Sequence, residues 1–194
     1  MIAGHFGFAA AVKGKAPAVP LWSLMLACQW LDVVFVPLFL TGVERIEPVA
    51  GAAPNAYGAG VIHANYTHSL VGALLLSALF GGVAAWRWGR RAGGILALVA
   101  FSHWILDLPM HRADMPILPG AVGDLPMLGF GLWSHPAAAA ALELALVLVG
   151  AFVYGRAALR VAGTDAKAVR RARLCGGAVL VAGVLTLGLN VLGM

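Results

Sequence analysis

Charge is what this 194-residue sequence has least of: Asp, Glu, Lys and Arg together make up 11% of it, against 61% hydrophobic residues. That scarcity excludes an ordinary soluble domain, in which about a quarter of the residues are charged. Cysteine is almost missing too. Cys28 and Cys175 stand alone, so neither a disulfide framework nor a CxxC site is available. Alternation of polar and apolar residues is lacking, which argues against a β-barrel. No internal repeat or low-complexity linker divides the chain, so a single domain is expected. The basic residues outnumber the acidic ones, 13 to 8, but they flank apolar runs without interleaved aromatics, a pattern unsuited to nucleic acid.

What the sequence does have is long apolar runs. A helix needs about 20 residues to cross a hydrocarbon core. Five runs reach or approach that length, at about 21–41, 60–86, 92–111, 127–154 and 174–192, and each is expected to be a transmembrane helix. Residues 1–12, "MIAGHFGFAAAV", are apolar but too short to span, and the charges of Lys13 and Lys15 follow them instead of preceding them. That order is wrong for a cleavable signal peptide, so this segment is expected to stay as a short re-entrant or interfacial helix.

Charge bias orients the bundle. If Lys13 and Lys15 are cytoplasmic, five spans put Arg87, Arg90, Arg91 and the six basic residues from Arg156 to Arg173 on the same side, eleven of the thirteen in all. Only Arg45 and Arg112 fall outside, each with carboxylates nearby: Glu44 and Glu47 for the first, Asp114 for the second. The positive-inside rule then places the N-terminus in the cytoplasm and the C-terminus outside.

Against this background the polar residues inside the apolar runs demand an explanation, because an unpaired polar group in hydrocarbon is costly. Asp32 lies midway along the first run, and His63 and His68 open the second. His103, Asp107 and His111 climb the third at i, i+4, i+8, which keeps them within about 80° of one another on a helix. His135 and Glu143 share a face of the fourth. Nearly all of these groups belong to the outer half of the bundle. His63 and His68 would be about 140° out of phase on one helix, so they converge only if the helix starts after His63.

Taken singly, a membrane histidine is as well explained by packing, and Thr67 and Ser69 by hydrogen bonds to helix backbone. Taken together, imidazoles and carboxylates without thiolate suit a divalent metal, zinc above all, with manganese, iron and nickel also compatible. Haem is the competitor for histidines on membrane helices, but it leaves the aspartates without a role.

The chain also resembles a family. Gly4 with His5, then Asp32, then His63, Thr67, His68 and Ser69 as an H-x4-H-S element, then His103 and Asp107 as HxxxD, together resemble the YdjM-like membrane-bound metal-dependent hydrolases of bacterial inner membranes. Where that family carries Arg and Gly after its first histidine, this chain has Ala64 and Asn65. A more distant similarity is to zinc-dependent phospholipases C and single-strand nucleases. Their ligand order His, Asp, His, HxxxD, His is matched by His5, Asp32, His68, His103 with Asp107, and His111, followed by His135. The acid expected four residues after the last histidine is Ala139 here, and the nearest acid is Glu143.

These features predict an all-α polytopic protein of a bacterial inner membrane with one or two divalent ions, zinc by preference, in its periplasmic half. The expected ligands are Asp32, His68, His103 and Asp107, joined by His5 and His111. His63 and His68 are the expected acid–base residues, with His135 and Glu143 supporting the ligands. The resemblance implies hydrolysis of a phosphoester in a membrane lipid or lipid-linked substrate, and also a chain-terminal amine near the site. A metal or proton transporter is the alternative class, and a scaffold without turnover a third. The absence of an inverted repeat disfavours transport.

Overall fold

A computed structural model describes residues 1–53 and 56–194. Seven helices carry the fold: α1 (Ile2–Lys15), α2 (Leu21–Cys28), α3 (Trp30–Leu40), α4 (Leu70–Trp88), α5 (Arg90–Asp107), α6 (Pro136–Ala162) and α7 (Ala166–Val191). Two four-residue strands, β1 (Arg45–Pro48) and β2 (Gly60–His63), pair antiparallel with Arg45 opposite His63.

The expected helical class holds, but five separate spans are not seen. The helices α4, α6 and α7 are each long and apolar enough to cross a membrane, and α2 with α3 would make a fourth crossing if that bent pair is one span. Helix α5 is more polar than these, with Arg90, Arg91 and Asp107 within its eighteen residues.

Local chemistry explains the shifted boundaries. The run 21–41 breaks by 50° around Gln29. The run 60–86 begins as β2, and its helix starts only after Ser69, whose hydroxyl accepts the Gly72 N–H at 3.0 Å as an N-cap. The run 127–154 begins as a loop with Gly129 and Gly131 at positive φ, and Pro136 at the first helical position starts α6. Helix α5 stops at Asp107, two residues before Pro109. Helix α7 begins earlier than hydropathy suggested, at Ala166, because the Asp165 carboxylate caps it through the Ala168 N–H.

Helix α1 packs into the bundle instead of lying on its surface. Ala3, Gly4, His5, Gly7, Ala9 and Ala10 are all buried, and it packs parallel to α6, with Gly4 and Gly7 beside Leu146 and Gly14 beside Val153. Its sequence has no polar face to offer water or headgroups, so burial is the consistent outcome. Small residues permit the contact: a Cβ on Gly150 would overlap the backbone of Gly7, and one on Gly7 would sit 2.5 Å from the Leu146 carbonyl oxygen. Helices α4 and α5 form an adjacent hairpin, where Gly81 and Gly93 bring the two backbones equally close.

These directions sort the chain by depth. His5, Asp107 and Glu143 fall toward one end, while Lys13, the Arg87–Arg91 turn and the α6–α7 turn fall at the other. Between them lies an apolar layer formed by Ala9, Leu24, Ala27, Leu96, Val99 and Ala100.

Candidate metal centre

The break between α2 and α3 is the first thing that builds the site. Because the helix does not continue through Gln29, the Cys28 carbonyl is free of the regular ladder and accepts from His103 Nδ1 at 2.7 Å. The same break places Asp32 in the first turn of α3, turned toward the histidines of neighbouring elements. Irregular backbone of this kind is tolerated at membrane depth when protein buries and satisfies it.

The other imidazoles are held by the same device. His68 Nδ1 lies 2.9 Å from Thr67 Oγ1, and that hydroxyl donates to Glu44 Oε2 at 2.8 Å. A hydroxyl has one proton, so Thr67 must accept from His68. The fully buried Glu44 is fixed in turn by the Tyr66 and Thr67 N–H groups, which donate to its Oε1 at 2.8 and 2.9 Å. His111 Nδ1 donates to Asp114 Oδ1 at 2.8 Å, and Asp114 Oδ2 accepts the Ile62 N–H at 3.0 Å. In all three rings the proton is therefore on Nδ1, and the Nε2 lone pair points away from its support.

Those lone pairs converge. His68 Nε2 and His103 Nε2 are 3.3 Å apart. Asp107 Oδ2 is 3.1 Å from His103 Nε2 and 3.8 Å from both His68 Nε2 and His111 Nε2. Asp32 Oδ1 is 3.5 and 3.6 Å from His68 and His103. On either side of His103, imidazole nitrogens and a carboxylate face one another, an arrangement that needs a cation or a proton between them. Ligands about 2.0–2.1 Å from a tetrahedral ion are about 3.3 Å from each other, and the spacings here run from 3.1 to 3.8 Å. The donor set therefore fits a divalent metal.

His5 approaches from α1. Its ring stacks on His103 with centroids 3.9 Å apart, and its Nε2 is 3.1 Å from Asp107 Oδ1, which also accepts from the Met1 amine at 3.0 Å. Two overlapping groups result, His5 with His103 and Asp107, and Asp32 with His68 and His103. His103 is common to both groups, and Asp107 presents Oδ1 to His5 and Oδ2 to His103.

Of the residues expected at the site, His5, Asp32, His68, His103, Asp107 and His111 come together in this cluster. His63 does not: it lies on β2 with Nε2 3.2 Å from Glu47 Oε2, on the hairpin. Arg45 first, and His63 second, hold the Glu47 carboxyl below its ordinary range. His135 is exposed at the start of α6 and faces none of the cluster's ligand atoms. Glu143 is fully buried, accepts from the Gly4 N–H at 3.0 Å and the Tyr57 hydroxyl at 2.6 Å, and lines the cavity beside the cluster.

That cavity has a volume of about 300 Å³. Asp32, His68, Asp107 and His111 form part of its wall, Phe35, Ile62 and Trp133 much of its apolar side, and no lysine or arginine lines it. Burial first, and then the bond to Glu143, push the Tyr57 phenol above its ordinary range, which keeps it a donor.

Glu44, Asp114 and Tyr57 were not singled out from the sequence as part of the site. Asp114 had a legible signal, three residues after His111. Glu44 and Tyr57 had none, since their partners are 23 and 86 residues away.

No model of a known protein family matches the chain, and neither a curated protein nor a solved structure matches it.

Proposed function

We propose that this chain is a membrane-embedded, metal-dependent hydrolase that uses one or two divalent ions, zinc by preference, to cleave a phosphoester of a lipid or lipid-linked substrate. The observation that carries the metal assignment is the convergence of the His68 and His103 lone pairs with Asp32 and Asp107 at metal-ligand spacing. When bound, the metal supplies Lewis acidity, lowering the pKa of water and polarising a phosphoryl oxygen. The chain's own residues hold and orient: Cys28, Thr67 with Glu44, and Asp114 fix the three rings, while Phe35, Ile62 and Trp133 offer an apolar wall to acyl or prenyl chains. The hydrolytic reaction rests on the resemblance to YdjM-like hydrolases and phospholipases C, and on a cavity that reaches the ligands. The proposed setting is the outer half of a bacterial inner membrane, with the basic end in the cytoplasm.

The apolar layer of Leu24, Leu96, Val99 and Ala100 beneath His103 favours this reading over a conduit, which needs polar groups continuing toward the other end. The test starts with metal. Protein purified without chelators is expected to carry about one or two equivalents, and the His103→Ala, Asp107→Ala double variant to lose most of them, because ligands carry the affinity. Metal-free protein, or full metal in the double variant, refutes the site. Zinc-loaded protein should then release a product from lipid extracts, and His68→Ala protein should not. Movement of metal or protons across sealed liposomes without lipid turnover would replace the hydrolase with a transporter.

A further inference from the structure

A second cavity, larger than the one beside the histidine cluster, lies elsewhere in the bundle. It has a volume of about 540 Å³ and lies between the C-terminal halves of α1 and α6 and the N-terminal half of α7. Lys13 comes from α1, Arg160 from α6 and Arg171 from α7. Glu143 and Arg160 are seventeen residues apart on α6, about 26 Å along the helix, so this cavity and the metal centre are at opposite ends of the bundle.

Three features give it a ligand chemistry. First, three cations from three helices face one space, and no carboxylate lines it. Among the described residues neither Arg160 nor Arg171 has an acidic partner. The nearest acid in sequence, Asp165, is committed to capping α7. Lys13 Nζ donates to the Pro17 and Val19 carbonyls at 2.7 and 2.8 Å, which fixes its position and leaves one N–H for a ligand. Second, most of the remaining wall is apolar and small, Ala157, Ala158, Val161 and Ala172 among it, with Tyr154 and Cys175 beside them. Third, Val161 of its wall is itself 80% exposed, and Leu174, the neighbour of Cys175 in that wall, is 63% exposed. A soluble anion has no use for that surface, whereas an acyl chain does.

We infer that the cavity between α1, α6 and α7 is a binding site for an anionic phospholipid, with the headgroup phosphate among Lys13, Arg160 and Arg171 and the acyl chains against the exposed apolar faces of α6 and α7. Basic pockets between membrane helices recognise anionic headgroups in this way. The site is separate from the proposed hydrolytic centre and does not depend on it.

Equilibrium binding of dioctanoyl phosphatidylglycerol to the full-length protein in neutral detergent tests this, with dioctanoyl phosphatidylcholine and inorganic phosphate as the comparison ligands. At about fivefold per cation near the surface, the Arg160→Gln, Arg171→Gln double variant is expected to bind phosphatidylglycerol about 25-fold more weakly. The Arg160→Lys, Arg171→Lys double variant should retain most of the affinity. Arg170→Gln with Arg173→Gln, which removes the same charge from α7 outside the cavity, should change it about twofold at most. Phosphatidylcholine should bind weakly and phosphate should not compete. Equal loss in the two Gln pairs would reduce the effect to overall charge and overturn the site. So would unchanged binding in the cavity variant, equal affinity for phosphatidylcholine, or displacement of the lipid by inorganic phosphate.

Discussion

Replacing Gly150 by alanine tests how tightly the histidine cluster depends on helix packing. In an open helical position a Gly→Ala change stabilises by about 1 kcal/mol, because glycine loses the most backbone entropy. Gly150 is not open: an added Cβ would lie 2.6 Å from the carbonyl carbon of Gly7 and 2.8 Å from its Cα, where ordinary contacts begin at 3.4 Å. Backbone cannot swing aside as a side chain can. Helices α1 and α6 would have to part by at least about 0.8 Å, and by more at the Gly7 carbonyl oxygen, which is nearer still; overpacking of this sort costs about 1–3 kcal/mol. The clash therefore outweighs the propensity gain, and Gly150→Ala should lower the thermal midpoint in detergent. Gly82→Ala on α4, where a Cβ meets nothing within 4 Å, should leave it unchanged or raise it. The Gly4 N–H bond to Glu143, 3.0 Å long, crosses the same α1–α6 contact and would stretch beyond hydrogen-bonding range, loosening the helix that carries His5, so bound metal should fall with stability. If the two alanine variants shift the midpoint in the same direction, the close approach of α1 and α6 is not as described.

The Glu44–Thr67–His68 chain predicts that Thr67→Val weakens metal binding about 10- to 100-fold while Thr67→Ser keeps it, measured by competition with a chelating dye; equal affinities would remove the relay. Metal affinity should fall on acidification, since protons compete for imidazoles whose reference pKa is about 6.5, and an affinity unchanged from neutral to mildly acidic pH would refute histidine ligation. If the basic end is cytoplasmic, a cysteine at Ala53 should react with an impermeant reagent added to intact cells and one at Ala166 should not. The reverse result would invert the proposed orientation.

The sequence alone was enough for a helical, membrane-compatible class, because that conclusion depends on composition and run length, which need no partner. It also marked polar residues whose presence in apolar runs called for pairing, Asp32, His63, His68, His103, Asp107, His111, His135 and Glu143, while His5 came from the family resemblance; the HxxxD pair was readable because i and i+4 face the same way on any helix. It misjudged helix limits at residues 60–69 and 127–135, where hydropathy continued but a cap at Ser69 and a proline at Pro136 set the starts. Only the tertiary structure decided that His63 and His135 stand apart while Glu44, Asp114 and Tyr57 support the site. The reason is distance along the chain: the bond from Thr67 to Glu44 spans 23 residues and the one from Tyr57 to Glu143 spans 86. No local periodicity encodes such pairs. They exist because a broken helix at Gln29, a glycine contact between α1 and α6, and a loop folded over the end of the bundle bring separate segments to one place.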